Sequence, residues 1–139
     1  MRETSAETMG NKERARAWFR ALGQSDYETM RDLLTEDVEF WTSPSVRTGP
    51  IAGRDEVMTR IERVFGSGRY YAPGSFACDV LDVLAEGDQT AAHVVMTGRF
   101  PNGNDYENTY LVWQRWRAGK MSYQLELFDA VHWSHQHRG

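Results

Sequence analysis

The chain has a single cysteine, Cys78, so no internal disulfide can form. It has no apolar run of membrane-spanning length. Its first residues, MRETSAETMGNKERAR, are polar and charged and hold no apolar segment of the signal-peptide kind. These absences lead to the expectation of a soluble cytoplasmic domain with no membrane partner. No stripe of Lys and Arg is present, and the net charge is -4 with a pI near 5.5. Nucleic acid is therefore not expected as a partner. No phosphate-cradling glycine loop occurs either, because Gly66-x-Gly68 follows a helical pattern rather than a strand. There is no internal repeat. What is present suits one packed core: 139 residues, 40% apolar and 12% aromatic.

Hydrophobic spacing orders the elements. Ala15, Trp18, Phe19 and Leu22 recur at helical intervals, which predicts a helix from about Lys12 to Leu22 that Gly23 can end. Ser25 and Glu28 read as a capping box opening a second short helix, with Met30, Leu33 and Leu34 turned inward. DVEFWTS, residues 37–43, reads as a short strand, and residues 44–53 as a loop. Asp55 can cap a third helix carrying Met58, Ile61 and Phe65. Four alternating segments then follow, at 76–84, 89–100, 105–117 and 121–131, with turns between them. Helices followed by a strand meander predict an α+β fold. Residues 1–10 are expected as a flexible start, 11–131 as one domain and 132–139 as a C-terminal tail.

The last two strands, NDYENTYLVWQRWRAGKMSYQLELFD, pose a chemical question. One carries Tyr106, Asn108 and Tyr110 on one face. The other holds Glu126 between Leu125 and Leu127, a carboxylate in an apolar strand. Both faces of these strands are apolar, whereas an antiparallel sheet usually leaves one face wet. Helices on one side and a second copy of the chain on the other would cover both, so a homodimer through the sheet face is expected.

The element order, with GQSDYETMRDLLTEDVEFW, GRDEV and the hairpin just quoted, resembles the nuclear-transport-factor-2-like superfamily over about residues 11–129. The resemblance is to its polyketide-cyclase-like (SnoaL-like) branch, which also includes ketosteroid isomerases and limonene-epoxide hydrolases. It implies a cone-shaped, curved antiparallel or mixed sheet wrapped around three N-terminal helices, the cystatin-like α+β barrel, with an apolar pocket inside. Glu126, Tyr106, Asn108 and Tyr110 would then line a cavity. A carboxyl buried there has a raised pKa and can move protons near neutral pH.

The carry-over is partial. The positions matching the ketosteroid isomerase Tyr and two Asp residues are Trp18, Ser43 and Val112, so steroid isomerisation is not implied. Of the epoxide hydrolase set, VVMTGRF supplies Arg99, but Pro101 replaces the first Asp. Glu126 matches the second Asp, and Phe40 and Thr42 stand for the Tyr and Asn. His93, six residues before Arg99 on the same strand face, is the substitute proton donor. Asp129 is a second candidate acid at the strand end.

The resemblance thus implies a cofactor-free enzyme acting on an oxygenated hydrophobic metabolite, of the kind secondary metabolism makes. Its chemistry would be acid/base: isomerisation, cyclisation, dehydration or epoxide opening. Glu126, Arg99 and His93 are the catalytic candidates. Tyr106, Asn108, Tyr110, Trp18, Phe40, Trp41, Thr42 and Val112 are the candidates for substrate contact. The alternative is a non-catalytic small-molecule binder or dimerisation module of the same fold. His132-x-x-His135-x-His137 lacks a carboxylate or Cys in ligand register, so no metal is expected.

Overall fold

A computed structural model describes residues 2–138, with side chains from residue 10 onward. Helix α1 runs Arg2–Gly23, ten residues earlier than the apolar spacing predicts. Its first turns have no periodic apolar face, so spacing could not mark them. Ala15, Trp18, Phe19 and Leu22 are all buried, and α1 packs across strands β3 (Ala77–Glu86) and β4 (Gln89–Arg99). Helix α2 (Tyr27–Asp32) is capped by Asp26 rather than Ser25. The Asp26 carboxylate accepts from the Thr29 N–H at 3.2 Å and the Thr29 hydroxyl at 2.7 Å, two bonds where a serine offers one oxygen. Ser25 lies in the preceding turn at φ 55.

Leu34 is not helical. It opens β1 (Leu34–Thr42) and pairs with Met121. The expected loop at 44–53 contains a two-residue strand, β2 (Ile51–Ala52). Helix α3 (Arg54–Ile61) starts after Gly53, whose φ of 91 favours glycine, and has no side-chain cap. Asp55 lies in its first turn and forms an ion pair with Arg31 instead. A π-helical turn, Glu62–Gly66, continues α3.

Strands β3, β4, β5 (Asp105–Arg117) and β6 (Lys120–Phe128) form the expected antiparallel meander. The sheet order is β2-β1-β6-β5-β4-β3, with β1 parallel to β6, so the six-stranded curved sheet is mixed and unclosed. The expected tail is instead a helix, α4 (Ala130–Arg138). Asp129 starts it by accepting the His132 N–H at 3.0 Å. Trp133 and His137, one turn apart, then stack at 4.6 Å and pack on Phe100. No helix among the described residues is long and apolar enough to cross a membrane.

Strand β5 decides the geometry of the site. Its burial alternates without a break: Tyr106, Asn108, Tyr110, Val112, Gln114 and Trp116 face the helices, while Leu111 and Trp113 face out. Register carries this to β6, where Val112 stands opposite Glu126 and Gln114 opposite Gln124, so both of those point inward. In the parallel pair, Thr42 stands beside Glu126 and Phe40 beside Gln124.

Candidate active site

The inward face of β1 and β6, helix α3 with its π turn, and helix α4 enclose a cavity of about 580 Å³. Its walls are mainly apolar and aromatic, including Phe40, Ile61, Phe65, Phe128 and Trp133. Glu126 faces this space. Its side chain keeps some accessibility because the cavity is open to it, yet protein surrounds it, and burial pushes its pKa up to about 7. No cation or hydrogen-bond donor among the described residues offsets that burial. A carboxyl in this state exchanges its proton near neutrality, as a general acid or base requires.

Hydroxyl and amide groups share the cavity wall with Glu126. Tyr71 and Tyr110 line the cavity, and Tyr110 hydrogen-bonds to the deeper Tyr106. The Trp133 indole N–H donates to the Tyr71 hydroxyl at 3.2 Å. Burial above all, with Glu126 adding to it, raises the pKa of Tyr71 and Tyr110 and pushes Tyr106 up to about 12, so all three keep their protons. The Cys78 thiol is also pushed up to about 12 by burial and by Glu126, which excludes a thiolate nucleophile.

A second chain of hydrogen bonds starts from an indole. Indole N–H can only donate. Trp116 Nε1 gives to Thr90 Oγ1 at 3.0 Å, the hydroxyl gives to Gln114 Oε1 at 3.3 Å, and Gln114 Nε2 gives to Gln124 Oε1 at 2.9 Å. Gln124 lines the cavity, and with its carbonyl receiving from Gln114 its NH₂ is free to give to a ligand. The Thr42 hydroxyl beside Glu126 is buried without a partner.

Residues 15–124 match the SnoaL-like domain. The chain belongs to the SnoaL-like domain family. No curated protein sequence matches it. Three solved structures show how widely this SnoaL-like fold is shared. Bal32a, from a soil-derived mobile gene cassette, is 22% identical, with a TM-score of 0.80 over 94% of this chain and 98% of its own. IdmH of Streptomyces antibioticus, named as a candidate polyketide cyclase, is 20% identical, with a TM-score of 0.76 over 91% and 96%. An LEH-like epoxide hydrolase of M. tuberculosis is 17% identical, with a TM-score of 0.76 over 96% and 93%. At these identities the likeness establishes the nuclear-transport-factor-2-like fold.

Within this SnoaL-like domain the expected site residues divide. Glu126, Tyr110, Phe40 and Thr42 meet at the cavity. Trp41 borders it too, but its indole turns back to Glu39, donating at 3.1 Å. Trp18 and Val112 are packed in the core, Trp18 edge-on to Phe40. Tyr106 lies behind Tyr110, and Asn108 is spent on backbone, giving to the Asp129 carbonyl at 2.9 Å and accepting the Thr109 N–H.

The expected Arg99–Glu126 pair does not form. Phe100, Val94 and Ala92 are buried on the inner face of β4, so Arg99 and His93 both point outward. Arg99 is exposed and pairs with Asp105 at 3.1 Å, and His93 lies in an outer groove with Leu111 and Trp113. The two do share a face, but it is the face away from Glu126. Asp129 caps α4. The three histidines of α4 do not converge: His132 bonds to the Glu107 carbonyl, and His137 stacks on Trp133. Among the described residues, no group of three or more His, Cys, Asp or Glu is placed to hold a metal ion.

Sequence reasoning missed Tyr71, Gln124 and Trp133. For Trp133 a signal existed, since Trp133 and His137 have helical spacing behind an Asp cap. Gln124 shares a strand face with Glu126 two residues away. Tyr71 lies in an irregular loop and had no signal.

Proposed function

We propose that this protein is a cofactor-free acid/base enzyme acting on an oxygenated, mainly apolar small molecule. The observation that carries this is Glu126, buried without a counter-charge in an open cavity and facing donors that keep their protons. Ionised Glu126 takes a proton from a carbon beside a carbonyl. The C–H electron pair moves into the carbonyl, and the new charge on oxygen is held by the Tyr71 or Tyr110 hydroxyl or the Gln124 amide. Where a C=C adjoins the deprotonated carbon, protonated Glu126 then returns the proton to the far end of the dienolate, which moves the double bond and isomerises the substrate. In a cyclisation the enolate carbon first attacks a second carbonyl of the same molecule, and the proton goes to the resulting alkoxide. The cyclisation is the outcome that the SnoaL-like neighbour named as a candidate polyketide cyclase supports.

The test is titration of the Glu126 carboxyl by carbon-detected NMR in the ligand-free protein. A midpoint near 7 is expected, with turnover rising through the same pH because the base must be ionised. A midpoint at or below 4.5, the ordinary value, removes the reading.

We also propose that the outer sheet face joins two copies of the chain. Leu84, Leu111, Trp113 and Leu127 are exposed there and border one apolar groove; exposed patches of this kind mark association surfaces. Leu111→Asp is expected to give a monomer in analytical ultracentrifugation while the wild type sediments as a dimer. A monomeric wild type would refute the dimer.

A further inference from the structure

The rim of the cavity carries a cation that the chemistry above leaves idle. Arg47 lies in the loop after β1. The backbone N–H groups of Val46 and Arg47 both donate to the Ser43 carbonyl, at 2.8 and 3.2 Å, so the chain turns back as soon as the strand ends. That places Arg47 on the cavity lining close behind Thr42, which stands level with Glu126. Arg47 is half-buried, and its Nε is buried with no hydrogen-bond partner. No carboxylate among the described residues pairs with it. Arg60, the other lining arginine, differs: Glu56 holds it at 3.0 Å on the outside of α3. Among the described residues Glu126 is the one acidic residue on the lining, and it makes no ion pair there.

A guanidinium N–H shut away from water without an acceptor is costly, and a ligand acceptor would remove that cost. The flat guanidinium matches an oxyanion through paired N–H groups. We propose that Arg47 binds an oxyanionic group on the substrate. The substrate is then an amphiphile, with an apolar oxygenated body inside the cavity and one acidic group, such as a carboxylate, at the rim. This rests on reading the cavity as the substrate site. Below neutral pH Glu126 holds its proton, so an anion can enter without repulsion.

The probes are two dyes with one aromatic body: 1-anilinonaphthalene-8-sulfonate, which is anionic, and N-phenyl-1-naphthylamine, which is neutral. Each is titrated by fluorescence at pH 6 into the full chain. Each Arg47 variant is read against the wild type, so that any dye held in the outer groove is common to both and cancels. The anionic dye is expected to bind more tightly than the neutral one. Arg47→Gln should weaken the anionic dye about tenfold, the scale of one charge-assisted hydrogen bond, and leave the neutral dye unchanged. Arg47→Lys should recover part of the loss. Equal weakening of both dyes, no change, or no preference for the anion overturns the proposal. Unchanged circular dichroism and melting of Arg47→Gln guard against a folding artefact. The Glu126 titration is read separately. An ordinary Glu126 pKa would end the enzyme reading and leave anion selectivity standing, whereas failure of the dye test would leave Glu126 in place with neutral substrates.

Discussion

Glu126→Gln is expected to stop turnover and stabilise the protein at the same time. The catalytic part follows from chemistry: an amide cannot accept and return a proton, and losing a positioned general acid/base removes about 10²- to 10⁴-fold in rate. Ligand affinity should persist, because glutamine keeps the shape and most of the polarity. The stability part follows from proton linkage. The unfolded carboxyl ionises near 4.5 and the folded one near 7. Below pH 4.5 both states hold the proton, and the group costs nothing. As pH rises between these values the unfolded state releases its proton first, so stability falls. The loss levels off above pH 7 at about 3 kcal/mol, from roughly 1.4 kcal/mol per pKa unit. Glutamine never ionises, so the variant should gain that amount at pH 8 and nothing at pH 4. In melting temperature the gain at pH 8 is on the order of 10 °C. Melting curves at the two pH values check it, and equal stability at pH 8 would place Glu126 in contact with water. A site that is less stable than it need be, for the sake of a poised proton, is a common exchange of stability for function.

Trp18→Ala should have the opposite profile. The sequence suggested Trp18 for the pocket wall, but the structure packs it in the core, 2% exposed and edge-on to Phe40. Removing a buried indole costs about 3–5 kcal/mol, from lost burial and the cavity left behind. The effect should appear in chemical denaturation as a large drop in midpoint with little change in slope. Turnover per folded molecule, measured well below the melting temperature, should fall much less than for Glu126→Gln. A variant of wild-type stability with collapsed activity would return Trp18 to the wall.

Most of the fold was legible because burial imposes period. Ala15, Trp18, Phe19 and Leu22 announced α1, and strict alternation announced β5 from Tyr106 to Trp116. What spacing cannot say is which alternate set faces in. Glu126 and the pair His93 and Arg99 were assigned to one cavity, yet His93 and Arg99 lie outside because Val94 and Phe100 lie inside. A period of two fixes the members of a face, and only the assembled sheet fixes its side. The cap of α2 went to Asp26 rather than Ser25 because two adjacent residues offered the same chemistry. Tyr71 and the Trp116–Thr90–Gln114–Gln124 chain were out of reach. The first lies in a loop with no repeat, and the second joins residues from three strands whose neighbours are known only after folding.

That chain also bears on which oxygen a ligand should show it. With Gln114 giving to its carbonyl, Gln124 meets a guest mainly as a giver of hydrogen. A ketone there is satisfied by what it receives. An alcohol at the same point brings a hydrogen of its own, and the amide carbonyl already receives one from Gln114. Ionised Glu126 adds a strong acceptor for it, and protonated Glu126 does not. The cavity should therefore favour carbonyls while Glu126 is protonated and become more tolerant of alcohols as it loses its proton, so that its preference between a ketone and the corresponding alcohol shifts with pH.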